Sequence, residues 1–217
     1  MKRIDLNHVI EPGMITYKGL PGPAVCDFWS RESTASKFDD GSTFQMARID
    51  MVANTGTYID APFHRFEEGH DIAGFDLERI AGVPGLVVRV PETTRVIGVE
   101  PFAGRQVRNK AVLVHTGWDR HWGTERYFEA NPCLSSEAAE WLRDEGAALV
   151  GIDSLNIDDA TTRSRPVHTV LLGADIPVVE HLCHLDALPE KDFLFYAVPP
   201  RMTGVGTFPV RAFATVS

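Results

Sequence analysis

Asp60 and His64 lie four residues apart in the stretch Asn54 to His64, which reads N-T-G-T-Y-I-D-A-P-F-H. A carboxylate and an imidazole this close offer a metal ligand and a proton carrier, the two groups that a hydrolytic site needs. In a fully extended chain, Tyr58, Asp60, Pro62 and His64 would alternate onto one face. Gly56 allows a backbone geometry that a Cβ would resist. Pro62 fixes φ and disfavours helix at Ala61. The apolar run before the stretch (Phe44, Met46, Ile49, Met51) reads as a strand, so the chain is expected to leave a sheet near Asn54.

Those residues need a frame, and the chain is long enough to build one. Its 217 residues, 44% of them hydrophobic, are within reach of one compact domain over residues 1–217. A net charge of −9 with scattered Lys and Arg argues against nucleic acid and against an anionic membrane surface. No eighteen-residue apolar span or signal segment is evident, and Cys26, Cys133 and Cys183 are widely spaced without a C-x-x-C. They read as small buried thiols of a cytoplasmic protein.

In order, Ile4, Leu6, His8 and Ile10 form an alternating strand that ends at Pro12-Gly13. Residues 29–43 are polar and turn-rich, either a lid or a partner-contacting arm. His70 reads as a lone surface histidine. Leu77, Ile80 and Ala81 suggest a short helix closed by Gly82, and residues 86–90 and 111–115 read as strands. His115, at the end of the second, is expected to be structural. The clearest helix covers 136–145, capped by Ser135 and stopped by Gly146. Strands are expected at 147–152, 176–179, 193–198 and 208–216, with a short helix beginning at His168. Strand-helix-strand order favours an α/β fold. Gly204 and Gly206 read as turn glycines, since no phosphate-loop Lys follows them.

The stretch resembles the signature H-x-G-T-H-x-D-x-P-x-H of the cyclase-type metal-dependent hydrolases, a family that includes bacterial kynurenine formamidase and isatin hydrolase. Gly56, Thr57, Asp60, Pro62 and His64 match, whereas Asn54 and Tyr58 stand at histidine positions. His168-Thr169-Val170-Leu171-Leu172 with Glu180 resembles the family's second ligand segment. Asp5-Leu6, Thr116-Gly117-Trp118, Gly151-Ile152-Asp153-Ser154 and Pro209-Val210-Arg211-Ala212 extend the resemblance over nearly the whole chain. It implies a swivelling β/β/α fold and a homodimer or homotetramer.

For the site, the resemblance implies one divalent ion, zinc or manganese, on Asp60, His168 and Glu180, or none, because both histidines of a companion site are replaced. Two oxygens and one nitrogen suit either ion, and three ligands leave positions open for water and substrate. His64 matches the family's acid-base histidine, and the ordinary imidazole pKa of about 6.5 suits that work. Tyr58 could donate a hydrogen bond to a ligand carboxylate or an oxyanion, or simply fill the vacated position. Tyr17 matches a pocket aromatic that would stack on a small-molecule substrate, or else packs as a loop aromatic; Asn54 is a second candidate for substrate contact. The implied activity is hydrolysis of a small amide, an N-formyl amide or a cyclic amide. The alternatives are a relative that only binds a small ligand and a metal-independent lyase or cyclase.

Overall fold

The computed structural model describes residues 1–216. The chain forms β1 (Lys2–Asp5), β2 (Ala24–Trp29), α1 (Arg31–Thr34), β3 (Met46–Asp50) and β4 (Tyr58–Asp60). It continues through α2 (Leu77–Ile80), β5 (Ala81–Arg89), β6 (Val96–Ile97), β7 (Ala111–His115) and β8 (Cys133–Leu134). Then come α3 (Ser136–Asp144), β9 (Leu149–Ile152), α4 (Pro166–Gly173) and β10 (Val178–Glu180). β11 (Phe193–Tyr196), β12 (Thr207–Pro209) and β13 (Phe213–Val216) close it.

Nine strands build one sheet in the order β1-β13-β11-β5-β7-β9-β10-β4-β12. The central strands β5, β7, β9 and β10 are parallel, and the flanking pairs are antiparallel. Parallel strands are covered on both faces, which is why β7 (A-V-L-V) and β9 (L-V-G-I) are almost wholly apolar. Val112 and Val150 join one core with Leu142 of α3 and Leu171 of α4, while Leu113 and Leu149 join a second core on the opposite face. The α/β expectation therefore holds.

α3 begins where the sequence places it: the Ser135 side chain accepts the Ala138 N–H at 3.1 Å, and Gly146 follows with φ +79°. Other expectations change. Gly82 does not close α2; it lies inside β5, which starts at Ala81. The first strand stops at Asp5, and beyond it only Asn7 bridges, to Leu182. The expected strand over 208–216 splits into β12 and β13, which pair at opposite ends of the sheet. Residues 24–50 form an antiparallel ribbon that, among the described residues, pairs with no other strand. All residues of its two strands are exposed, so Cys26 is exposed too, against expectation. His70 is not alone: its Nε2 lies 2.7 Å from Asp175, which also pairs with Arg79 at 2.9 Å.

His8 stacks face to face on Trp122, ring centroids 3.9 Å apart. Burial first, then the nearby His184, pulls the His8 pKa down to about 4 from an ordinary 6.5. Between those values the unfolded chain binds this proton and the folded chain does not, so acidification through that window favours unfolding. Urea unfolding at about pH 7 and about pH 5 should show His8→Gln losing less stability on acidification than the unsubstituted chain.

Candidate active site

The sheet register delivers the site. In β4, Tyr58 pairs with Glu180 of β10, and Asp60 pairs with Thr207 of β12. Tyr58 and Asp60 are two residues apart and so share a face, as the alternation requires. Beyond Asp60 the extended chain ends. Pro62–His64 is a 3-10 turn with Pro at its start, a position that tolerates the missing N–H. His64 therefore arrives by a turn and not by a continued strand, which corrects the expectation for Pro62 and His64. Two glycines make this possible. Gly56 has φ +65°, and a Cβ on Gly206 would come 2.4 Å from the His64 nitrogen.

Asp60 is fully buried. Its Oδ1 accepts the Thr207 hydroxyl, and Thr207 Oγ1 lies 2.9 Å from His64 Nδ1. Thr207 has one hydroxyl proton and gives it to Asp60, so His64 Nδ1–H donates to Thr207 Oγ1. The lone pair of His64 is then on Nε2. His64 remains 36% exposed.

His168 is fixed from behind. Asp158 accepts the backbone N–H of Val167 (2.8 Å) and of His168 (3.1 Å), together with His168 Nδ1–H at 2.6 Å. His168 Nε2 faces forward, 3.5 Å from Asp60 Oδ2 and 3.5 Å from Glu180 Oε1. Burial opposes a charge on this ring, but Glu180, Asp158 and Asp60 outweigh it and push the pKa up to about 10. Asp60 Oδ2 is buried and has no hydrogen-bond partner among the described residues.

Glu180 accepts Ile157 N–H and the Tyr58 hydroxyl, both at 2.6 Å. Burial pushes its pKa upward, with His168 opposing. Tyr58 is itself buried; burial and then Glu180 hold its pKa well above the phenol range, so it stays a donor. Behind it, the Tyr58 hydroxyl lies 3.3 Å from His181 Nε2, and His181 Nδ1 lies 2.8 Å from the Tyr127 hydroxyl. Tyr58→Phe keeps the ring and removes this donor. Urea unfolding should show a loss of roughly 1–3 kcal/mol, the range for a buried acceptor deprived of its partner; an unchanged midpoint would mean that Asn156 compensates.

A cavity of about 240 Å³ opens over these groups, with His64, His168, Tyr58 and Glu180 in its wall. Tyr17 and Asn54 line it as well, both half-buried, so the two expected substrate-contact residues do reach it. A larger hollow of about 390 Å³ beside Lys110 and Lys191 contains no such set. Ligand atoms of Asp60, His64 and His168 lie within 4.8 Å of one another, and Glu180 joins through His168. His115, expected to be structural, lies 3.9 Å from Asp153, whose carboxylate takes the N–H groups of Thr116 and Gly117.

Sequence reasoning missed Asp158, Asn156, Thr207 and His181. Asp158 is ten residues from His168 and Thr207 is 147 from Asp60, so no local pattern marks either.

Residues 4–159 match the family model described as "Putative cyclase". Kynurenine formamidase of Bacillus cereus is 25% identical over 209 residues, 96% of this chain and 95% of the relative. Its counterpart in Geobacillus thermodenitrificans is 30% identical over 179 residues, 82% of each. A solved structure described as a potential metal-dependent hydrolase with cyclase activity has a TM-score of 0.80 at 26% identity, over 98% of this chain and 96% of that one. Isatin hydrolase A from Labrenzia aggregata, at 20% identity and TM-score 0.82 over 99% and 93%, shares the fold. With a family model spanning most of the sequence and relatives aligned nearly end to end, this chain belongs to the cyclase family of hydrolases.

Proposed function

We propose that the protein hydrolyses a small amide, an N-formyl amide or a cyclic amide, in the cavity beside His64. One observation carries the reading: buried Asp60 Oδ2, without a partner, faces His168 Nε2, which in turn faces Glu180. Facing two carboxylates, His168 Nε2 holds a proton when no metal is bound, as its raised pKa reflects, and a metal cation could take that proton's place between the same groups. Asp60, His168 and Glu180 therefore fit one divalent ion of the zinc or manganese type. Such an ion, when bound, supplies Lewis acidity that polarises a carbonyl and brings the pKa of a water towards about 7.

His64 Nε2, with its lone pair free, takes the proton from the attacking water as the water oxygen bonds to the carbonyl carbon. The C–N bond then breaks and the same ring returns that proton to the leaving nitrogen, giving an amine and a carboxylic acid that releases its remaining proton to solvent. Thr207 and Asp60 hold the ring in the required tautomer. Asp158 does the same for His168, as carboxylates behind metal-binding histidines do. Tyr58 serves Glu180 as a hydrogen-bond donor. The formamidase names of the relatives support an N-formyl amide.

The same proposal takes residues 1–217 as one domain, a cytoplasmic location and assembly as a homodimer or homotetramer. No helix among the described residues is long and apolar enough to cross a membrane. Residues 29–43 expose Trp29 and Phe38, which supports a partner-contacting arm over a lid.

Protein purified without chelator and supplied with Mn²⁺ or Zn²⁺ is expected to carry close to one ion per chain and to hydrolyse aryl formamides. Elemental analysis beside a formate assay tests both. Two ions per chain would mean that Asn54 and Tyr58 do not block a companion site. No ion and no turnover would favour a ligand-binding relative. That second reading draws on Glu180, whose two oxygens already have protein donors.

A further inference from the structure

We infer that Tyr17 is a catalytic residue: its hydroxyl, aimed by Asn156, donates a hydrogen bond to the acyl oxygen of the substrate as that oxygen gains charge. This rests on the hydrolytic reading above. Attack of water on an amide pushes the carbonyl π pair onto oxygen, and a donor already in place lowers the cost of that charge. Tyr58 also stands in the cavity wall but cannot serve, because its single proton goes to Glu180.

Three of the four tyrosines meet at His181, and they use their protons differently. Tyr58 donates to Glu180, so His181 Nε2–H donates to the Tyr58 oxygen at 3.3 Å and His181 Nδ1 accepts the Tyr127 hydroxyl at 2.8 Å. Tyr17 differs, because its oxygen is the acceptor, 2.6 Å from Asn156 Nδ2. That amide cannot be turned over, since Asn156 Oδ1 accepts the Asp158 N–H at 2.9 Å. The same Nδ2 lies 3.5 Å from Glu180 Oε2, so one nitrogen ties the Tyr17 hydroxyl to the carboxylate end of the site. Among the described residues the Tyr17 proton has no protein acceptor, and Tyr17 lines the cavity together with His64. The substrate is the acceptor left for it.

The donor is also held in place. Tyr17 packs against the cluster of Trp118, Tyr127 and Leu155 and meets His181 edge-on, ring centroids 6.0 Å apart. A donor fixed in this way needs no reorganisation at the moment of reaction. Burial first, then Glu180, raises the pKa of the phenol, so it offers a hydrogen bond without giving up its proton. His64 moves the proton of the reaction; Tyr17 moves none.

Tyr17→Phe keeps the ring and removes the donor. With an aryl formamide it is expected to lower kcat by roughly 10²-fold, the lower end for one oxyanion donor, with KM and bound ion little changed. Asn156→Ala leaves the hydroxyl unaimed and should lower kcat less. Tyr17→Phe on that background should then cost clearly less than it does alone, as for residues that act through one contact. Strictly additive losses refute the orienting role of Asn156. Should Asn156→Ala not fold, the Tyr17 substitutions decide alone. Unchanged kcat in Tyr17→Phe overturns the inference, and a KM raised only in Tyr17→Leu would then identify a packing aromatic. Loss of the ion together with activity in Tyr17→Phe also overturns it, since Tyr17 would act through Glu180.

Calorimetry separates this inference from the hydrolytic reading. An N-aryl phosphonamidate, whose tetrahedral anionic phosphorus copies the intermediate, is titrated beside the planar formanilide, with Mn²⁺ present throughout. Tyr17→Phe is expected to weaken the phosphonamidate tenfold or more and formanilide far less. If that difference appears while no formamide is cleaved, the oxyanion donor stands and hydrolysis of formamides fails. Phosphonamidate affinity that Tyr17→Phe leaves unchanged refutes the donor.

Discussion

His64→Ala is expected to lower kcat by roughly 10²- to 10⁴-fold, the range for loss of a general acid-base. The size of the effect follows from what the ring alone can do. Its Nδ1–H is committed to Thr207, and Thr207 is committed to Asp60, so only Nε2 is free to move a proton. No neighbouring group can take over. Tyr58 is buried and held in its phenol form, and His168 Nδ1 is spoken for by Asp158. The substitution leaves Asp60, His168 and Glu180 in place, so cation affinity should change little. Turnover and stoichiometry measured on one preparation decide the matter. A large loss of bound ion on His64→Ala would move His64 from proton carrier to ligand, a role its closeness to Asp60 and His168 makes worth testing.

Asp60→Asn should abolish most of the activity by a different route. Asp60 contributes a charge and a buried oxygen, Oδ2, without a hydrogen-bond partner among the described residues, and the amide keeps the shape but not the charge. Cation affinity is expected to fall by roughly 10²-fold or more, since even residues behind the ligands cost 10- to 100-fold. Linkage makes this visible without substrate. At a free ion concentration about 100 times the dissociation constant, the unsubstituted protein gains about 2.7 kcal/mol of stability. A 100-fold weaker variant at the same concentration gains only about 0.4 kcal/mol. Urea midpoints with and without Mn²⁺ read that difference directly. If Asp60→Asn gained as much as the unsubstituted chain, the ion would be bound elsewhere.

The amino-acid sequence determined the local pieces. Ser135 and Gly146 bracket α3 because a side-chain cap and a left-handed stop act within one turn of their own helix. The apolar runs of β7 and β9 announce strands covered on both faces. Gly56, Asp60, Pro62 and His64 marked a segment that borders the cavity, and Asp60, His168 and Glu180 lie close together beside it.

Tertiary structure decided the contacts between distant segments. Tyr58 could have faced an oxyanion, a ligand carboxylate or empty space; its register opposite Glu180 chose the carboxylate. His64 enters by a 3-10 turn because Pro62 ends the extended chain and Gly206 admits the backbone beside it. The final apolar run divides between opposite ends of the sheet, β12 at one edge and β13 just inside β1 at the other end, and that division sends Thr207 to Asp60. Caps and periodicity act over three or four residues, whereas pairing between strands more than a hundred residues apart depends on the whole fold. Asp158 and Thr207 became legible only once that pairing was formed.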